Sequence, residues 1–204
     1  MKKLIIVILV LGLFASCQEN QKQEQAKPVK KEAVKPAFDE MAYKKKGKEI
    51  AMATFKAFKG HIQRIAGMDG LPSVINFCNE NAMELTDSIS KKYNVKIKRT
   101  SHKFRNEKNA PNTDEMSVIK NYLAIQEDNN KQMTPLIMKD DEGFVHFYAP
   151  IKIKQECLKC HGVLKKDINA DIYKIIKQKY PNDKAIGFRE GELRGIWDIK
   201  FLDK

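Results

Sequence analysis

The chain has 204 residues, 42% of them hydrophobic and 31% charged, with a formal charge of +12 and four cysteines. Its lysines are scattered rather than clustered, so the basic excess reads as a solvated face, and with an export signal in front of it the chain is not expected to bind nucleic acid. Once the leader and a polar stretch behind it are set aside, about 165 residues remain, the size of one domain with one core.

Lys2 and Lys3 precede LIIVILVLGLF, and Ala15, Ser16 and Cys17 follow. Two cations, a short apolar run and small residues are the order of a secretory signal, and the run is too short to span a membrane. The ending resembles a bacterial lipobox, with Phe14 where Leu is usual. On this reading residues 1–16 are a lipoprotein signal peptide and Cys17 carries the lipid. The protein is then anchored to a bacterial membrane on its periplasmic side or at the cell surface, held firmly because more than one acyl chain is attached. Residues 17–40, rich in Gln, Lys, Glu and Pro, cannot build a core and read as a flexible tether. Residues 41–204 are the folded domain.

Within the domain, Ala51, Phe55, Phe58, Ile62 and Ile65 recur at helical spacing, which predicts a long helix over 41–66, ended by Gly67, Gly70 and Pro72. A second helix is expected over 72–92, with Val74, Cys78, Ala82, Leu85 and Ile89 on one stripe and Cys78 therefore facing inward. NVKIKRTSH alternates as a strand does. Asn112 with Glu115 three residues on predicts a capping box opening a helix that carries Met116, Ile119, Tyr122 and Leu123. MTPLIMKD and GFVHFYAPIKI form a strand pair across the turn signal Asp141, Glu142, Gly143. A helix over 168–180 and a last strand, with Trp197, Ile199 and Phe201 inward and Asp198 and Lys200 outward, complete the chain. Helices followed by antiparallel strands with a helix among them is an α+β order.

The chemistry is concentrated in QECLKCHGVL. In C-x-x-C-H the thiols of Cys157 and Cys160 can form thioether bonds to the vinyl groups of one haem, and His161 then stands over the iron as an axial ligand. A structural zinc ion would need four ligands, which Cys157, Cys160, His161 and Cys78 could supply in number. For the second axial ligand the sequence offers His61, His102, His146, eight methionines and Cys78. His61 lies at the edge of its helical stripe, and His146 lies on a strand between Phe144 and Tyr148. Cys78, a thiol without a disulfide partner in an oxidising compartment, would be a soft anionic ligand if the metal deprotonated it.

CLKCHG after a strand ending in APIKI, preceded by RTSHKFRNEKNAPN and a helix bearing Cys78 and followed by AIGFREGELRGIWDI, resembles the monohaem c-type, PAS-like domain family. That family was long described as a domain of unknown function. The resemblance covers residues 50 to 202 and implies an antiparallel sheet flanked by helices that grip one covalently attached haem c. It implies His161 and Cys78 as the axial pair, and Arg99 and Arg105, which match its pattern, as candidate guanidinium contacts for the propionates; from the residues themselves His102 and His146 stand as alternatives to Cys78. His102 and Phe104 depart from the family pattern, where Leu and Pro are usual.

A thiolate opposite a histidine favours ferric iron, so a low potential is expected. With both axial positions filled no site is open to a substrate, and no enzymatic activity is expected. Two uses follow. One is redox or small-ligand sensing through an unidentified signalling partner; the other is one-electron transfer to a membrane partner.

Overall fold

The computed structural model describes residues 38–128 and 131–203. The signal segment, Cys17 and the tether up to residue 37 lie outside the described residues. Helix α1 (Glu40–Glu80) opens on Asp39, whose carboxylate accepts from the Ala42 backbone N–H at 3.0 Å. Gly67 does not end it. The backbone leaves helical geometry at Gly70 (φ 77°, ψ −178°) and resumes, because Pro72 falls in the first turn beyond the kink, where a missing N–H costs nothing. The helix expected over 72–92 is correspondingly divided at Asn81 into the end of α1 and α2 (Ala82–Tyr93). Asn94, in the left-handed conformation that Asn tolerates, ends α2 and turns the chain into β1 (Val95–Thr100).

Asn112 and Glu115 form the expected capping box, with Asn112 Oδ1 accepting from Glu115 N at 2.8 Å, and open α3 (Thr113–Glu127). The strands β2 (Leu136–Lys139) and β3 (Val145–Lys152) pair antiparallel through a turn in which Gly143 takes a φ of 83°. A one-turn helix, α4 (Leu158–His161), then α5 (Ala170–Lys179) lead to β4 (Leu193–Phe201). The sheet order is β1-β4-β3-β2, with every pairing antiparallel. The architecture is α+β, a four-stranded antiparallel sheet flanked by helices, as the sequence implies.

Both faces of the sheet are covered. α1 and α2 bring Ile50, Phe58 and Ile89 onto Ile97, Phe147 and Trp197, while α3 brings Val118, Ile119 and Tyr122 onto Tyr148, Leu193 and Ile196. α1 approaches β3 so closely at Gly47 that a Cβ there would run into the ring of Phe147. Asp198, read from its alternation as pointing to solvent, is 7% exposed, because the face it lies on is the one α3 roofs over.

Candidate cofactor site

β3 delivers the chain to the C-x-x-C-H segment, where a 3-10 turn (Gln155–Cys157) runs into α4. Gly162 closes that turn by donating to Leu158 O at 2.8 Å; a Cβ there would sit 2.5 Å from the Asp167 side chain and 2.7 Å from the same carbonyl. The tail before β4 lies along the turn: Gly187 N donates to Gly162 O at 2.8 Å and Phe188 N to His161 O at 3.0 Å. Arg105 ties these pieces together. Its Nε donates to Asp183 at 3.1 Å, while one terminal nitrogen donates to Cys160 O at 2.6 Å and Ala185 O at 3.2 Å. Asp183 has a fully buried side chain and is the counter-ion that makes this burial affordable.

His161 is held by its neighbours in one tautomer. Nδ1 lies 2.8 Å from Ala185 O, and since a carbonyl only accepts, Nδ1 carries the proton and Nε2 keeps its lone pair. Burial, and the positive fields of Arg105, Arg194 and Arg99, drive the imidazole well below its ordinary pKa. It is therefore a neutral base with its free nitrogen available for a metal. Cys157 and Cys160 are free thiols, both half-buried, and burial pushes the Cys160 thiol up.

The decade 71–80 carries Cys78 to the same place. Ile75 on this segment packs with Ile176 and Tyr180, and Asn79 Nδ2 donates to Lys179 O at 3.3 Å, so the segment is fixed to α5. The Cys78 thiol is half-buried and free. Burial raises its pKa, and the guanidinium groups of Arg99 and Arg105 oppose that rise. Cys78 also acts on Cys160, and Arg99 and Arg194 act on His161, so these groups share one electrostatic neighbourhood. Arg99 lies over the Phe58 ring at 3.9 Å and within 5.9 Å of the Trp197 ring centre.

The other histidines are differently placed. His146 belongs to the α3 face with Tyr148, away from the α1 face, and both its ring nitrogens are engaged: Nδ1 with Asp198 at 2.7 Å and Nε2 with Asp140 at 3.3 Å. His146 thus lies on the face of the sheet opposite the one that α1, the helix bearing Cys78, covers. His61 stacks on Phe77 at 5.5 Å with Nδ1 on the Ala57 carbonyl. His102 packs edge-on to Phe188, and its Nδ1 is buried without a hydrogen-bond partner. Among the described residues, no group of three His, Cys, Asp or Glu side chains is gathered closely enough to hold a metal ion, so the four zinc ligands offered by the sequence are not assembled. Arg194, Asp183, Ala185 and Phe188 complete the site beyond the residues that the sequence singles out; Ala185, Phe188 and Arg194 stand within the closing motif AIGFREGELRGIWDI.

Fold and site together define an α+β domain in which a C-x-x-C-H turn, a free buried-face cysteine and a cluster of arginines converge on one side of an antiparallel sheet. The chain belongs to the Tll0287-like family, whose model matches residues 16–201. Among solved structures it is similar to the crystal structure of the cyanobacterial heme-protein Tll0287, at 27% identity and a TM-score of 0.48, over 59% of this chain and 68% of that one. No curated protein matches it.

Proposed function

We propose that this protein is a membrane-tethered, extracytoplasmic monohaem c-type cytochrome domain that works in redox or small-ligand sensing. The observation that carries the reading is His161: a neutral imidazole whose Nδ1–H is spent on Ala185 and whose Nε2 is free, directly after two free thiols spaced for thioether attachment. The donor set fits a haem better than a zinc ion, since no three ligands converge on a point while the nearby cations suit a ligand with carboxylates. Haem held there would supply a one-electron couple.

The residues divide the work. Cys157 and Cys160 would hold the group through their sulfurs, and His161 would offer it the free Nε2 as a ligand. Cys78 would offer the second ligand as a thiolate, whose negative charge would favour the oxidised state and a low potential. Arg99 supplies positive charge beside Cys78, which eases formation of that thiolate. Sensing is favoured by the position of Cys78 on a ten-residue segment bounded by the Gly70 kink and the break at Asn81, a lever able to move if the thiolate leaves. The alternative, one-electron transfer to a membrane partner without ligand change, draws support from the same segment's attachment to α5 through Ile75 and Asn79. With Cys78 and His161 both serving as ligands no open position would be left for a substrate, and we propose no enzymatic role.

The test is a haem-stained denaturing gel with a pyridine haemochrome spectrum, on protein co-expressed with a cytochrome c maturation system. One haem that stays with each polypeptide supports the reading, and a colourless protein ends it. Spectra of the reduced form then divide sensing, in which Cys78 leaves, from electron transfer, in which it stays. Labelling with a radioactive fatty acid, abolished by Cys17→Ala, tests the anchor.

A further inference from the structure

Arg194, on β4, is a half-buried cation without a counter-ion among the described residues. One of its terminal nitrogens donates to Lys103 O at 3.1 Å, and its guanidinium carbon stands 5.4 Å from the centre of the Phe188 ring. Among the described residues no carboxylate lies within ion-pair distance of it or of Arg99, whereas Arg105 has Asp183. Burial and the like charges of Arg105 and Arg99 push the Arg194 pKa down to about 9. A charge partly withdrawn from water and set among like charges is stabilised by any anion that reaches it.

His102 lies beside it. Its ring meets Phe188 edge-on, centroids 6.4 Å apart, and its Nδ1 is sealed from solvent with nothing to bond to. His161 meets the same ring at 6.4 Å, and Lys103 Nζ lies 4.5 Å from its centre. Phe188 is thus the hub around which an orphaned imidazole, two cations and His161 are arranged. An unpaired guanidinium fork beside an unpaired ring nitrogen is matched by a carboxylate, which presents two oxygens in a plane and four lone-pair directions.

We infer that Arg194 and His102 form the seat of one haem propionate, the guanidinium giving its unused N–H groups and the imidazole its Nδ1–H. The inference rests on the haem reading above and changes the part played by arginines within it. Arg105, the propionate contact implied by the sequence, is instead the brace of the C-x-x-C-H turn, and Arg194 takes the carboxylate. His102, a departure from the family pattern, becomes a propionate donor and not a rival for the iron.

The test uses the holoprotein, in which two thioether bonds keep the haem in place when the seat is lost. Resonance Raman spectra report the propionate bending mode, and a spectroelectrochemical titration reports the midpoint potential. Arg194→Gln should shift the bending mode and lower the potential, because positive charge near the haem stabilises the reduced state; His102→Phe should shift the same mode. Arg194→Lys should keep most of the potential while still moving the mode, and Arg189→Gln, on an exposed arginine, should move neither. An unmoved bending mode in both Arg194→Gln and His102→Phe, each with one haem per chain, overturns the seat and leaves the haem reading intact. A wild-type protein without haem overturns both. Should Arg194→Gln fail to fold, His102→Phe and Arg194→Lys decide the matter in the same way.

Discussion

His161 donates its Nδ1 proton to the main-chain oxygen of Ala185, 2.8 Å away and 24 residues further along the chain. Because the acceptor is backbone, no side-chain substitution in the tail removes it, and the imidazole is oriented before any ligand arrives. In the reduced apo-protein His161 should therefore titrate well below an ordinary histidine, a direction set by burial first and by Arg105 and Arg194 next. A histidine with a depressed folded pKa contributes stability that is complete above its unfolded pKa, about 6.5, and is lost as pH falls towards the folded value. Ring resonances in NMR spectra of the apo-protein check this; a midpoint near 6.5 for His161 would contradict it.

Replacing the thiolate tests the ligand set directly. In the holoprotein, Cys78→Ala should change the ferric spectrum and raise the midpoint potential, by on the order of 100 mV within the ~0.8 V that axial ligation spans. Cys157→Ala should instead leave haem weakly held or absent, because a thioether is lost. An unaltered ferric spectrum in Cys78→Ala would rule out that residue as a ligand.

On the other face, His146 bridges Asp198 and Asp140, and Lys200 meets Asp140 at 2.6 Å. The two carboxylates outweigh burial and raise the His146 pKa. A raised folded pKa means stability that is present below the unfolded value of about 6.5 and lost as pH rises through the folded one. His146→Gln should therefore cost more at pH 6 than at pH 9, about 1–3 kcal/mol at the lower pH because Asp198 is left buried and poorly paired. Urea titrations at the two pH values measure this, and a haem spectrum unchanged by the substitution is expected from its position behind the sheet.

How far the sequence carries follows from the range of the signals. Local chemistry was legible: the Asn112–Glu115 box, the turn at Gly143, the strands and most helix spans each depend on residues a few positions apart. Gly and Pro stop most helices, so the sequence alone places an end at Gly70, and it is the packing of the following decade on α5 that supports the helix onward. Arg105–Asp183 and His146–Asp198 join positions 78 and 52 residues apart, and no periodicity announces such pairs. The hint for the second was a polar residue in each of two apolar strands, which becomes a pair only once β3 and β4 are in register.

Glycines on α1 give a stability test independent of any cofactor. Gly47→Ala places a methyl in the Phe147 ring, so the helix or the ring must move, at a cost of about 1–3 kcal/mol. Gly60→Ala meets nothing within 4 Å and replaces a poor helix former, so it should stabilise by about 0.5–1 kcal/mol. Thermal melts of the two variants should move in opposite directions from wild type.

Arg99 makes the closing case. Its guanidinium lies over the Phe58 ring and near Trp197 and has no carboxylate within ion-pair distance among the described residues, and its charge opposes the rise of the Cys78 pKa. Replacing it by Met keeps much of the apolar stem and removes the charge, so burial acts on the thiol unopposed by this residue. In apo-protein carrying Cys17→Ser, Cys157→Ser and Cys160→Ser, which leaves Cys78 as the one thiol, Arg99→Met should raise the thiol pKa and slow alkylation at pH 8 by about threefold or more. The rate is followed with iodoacetamide over a range of pH. A shift of the whole pH–rate curve to higher pH identifies loss of charge, whereas a uniform change in rate at every pH identifies altered access. The second pattern would mean that Arg99 serves Cys78 by packing alone.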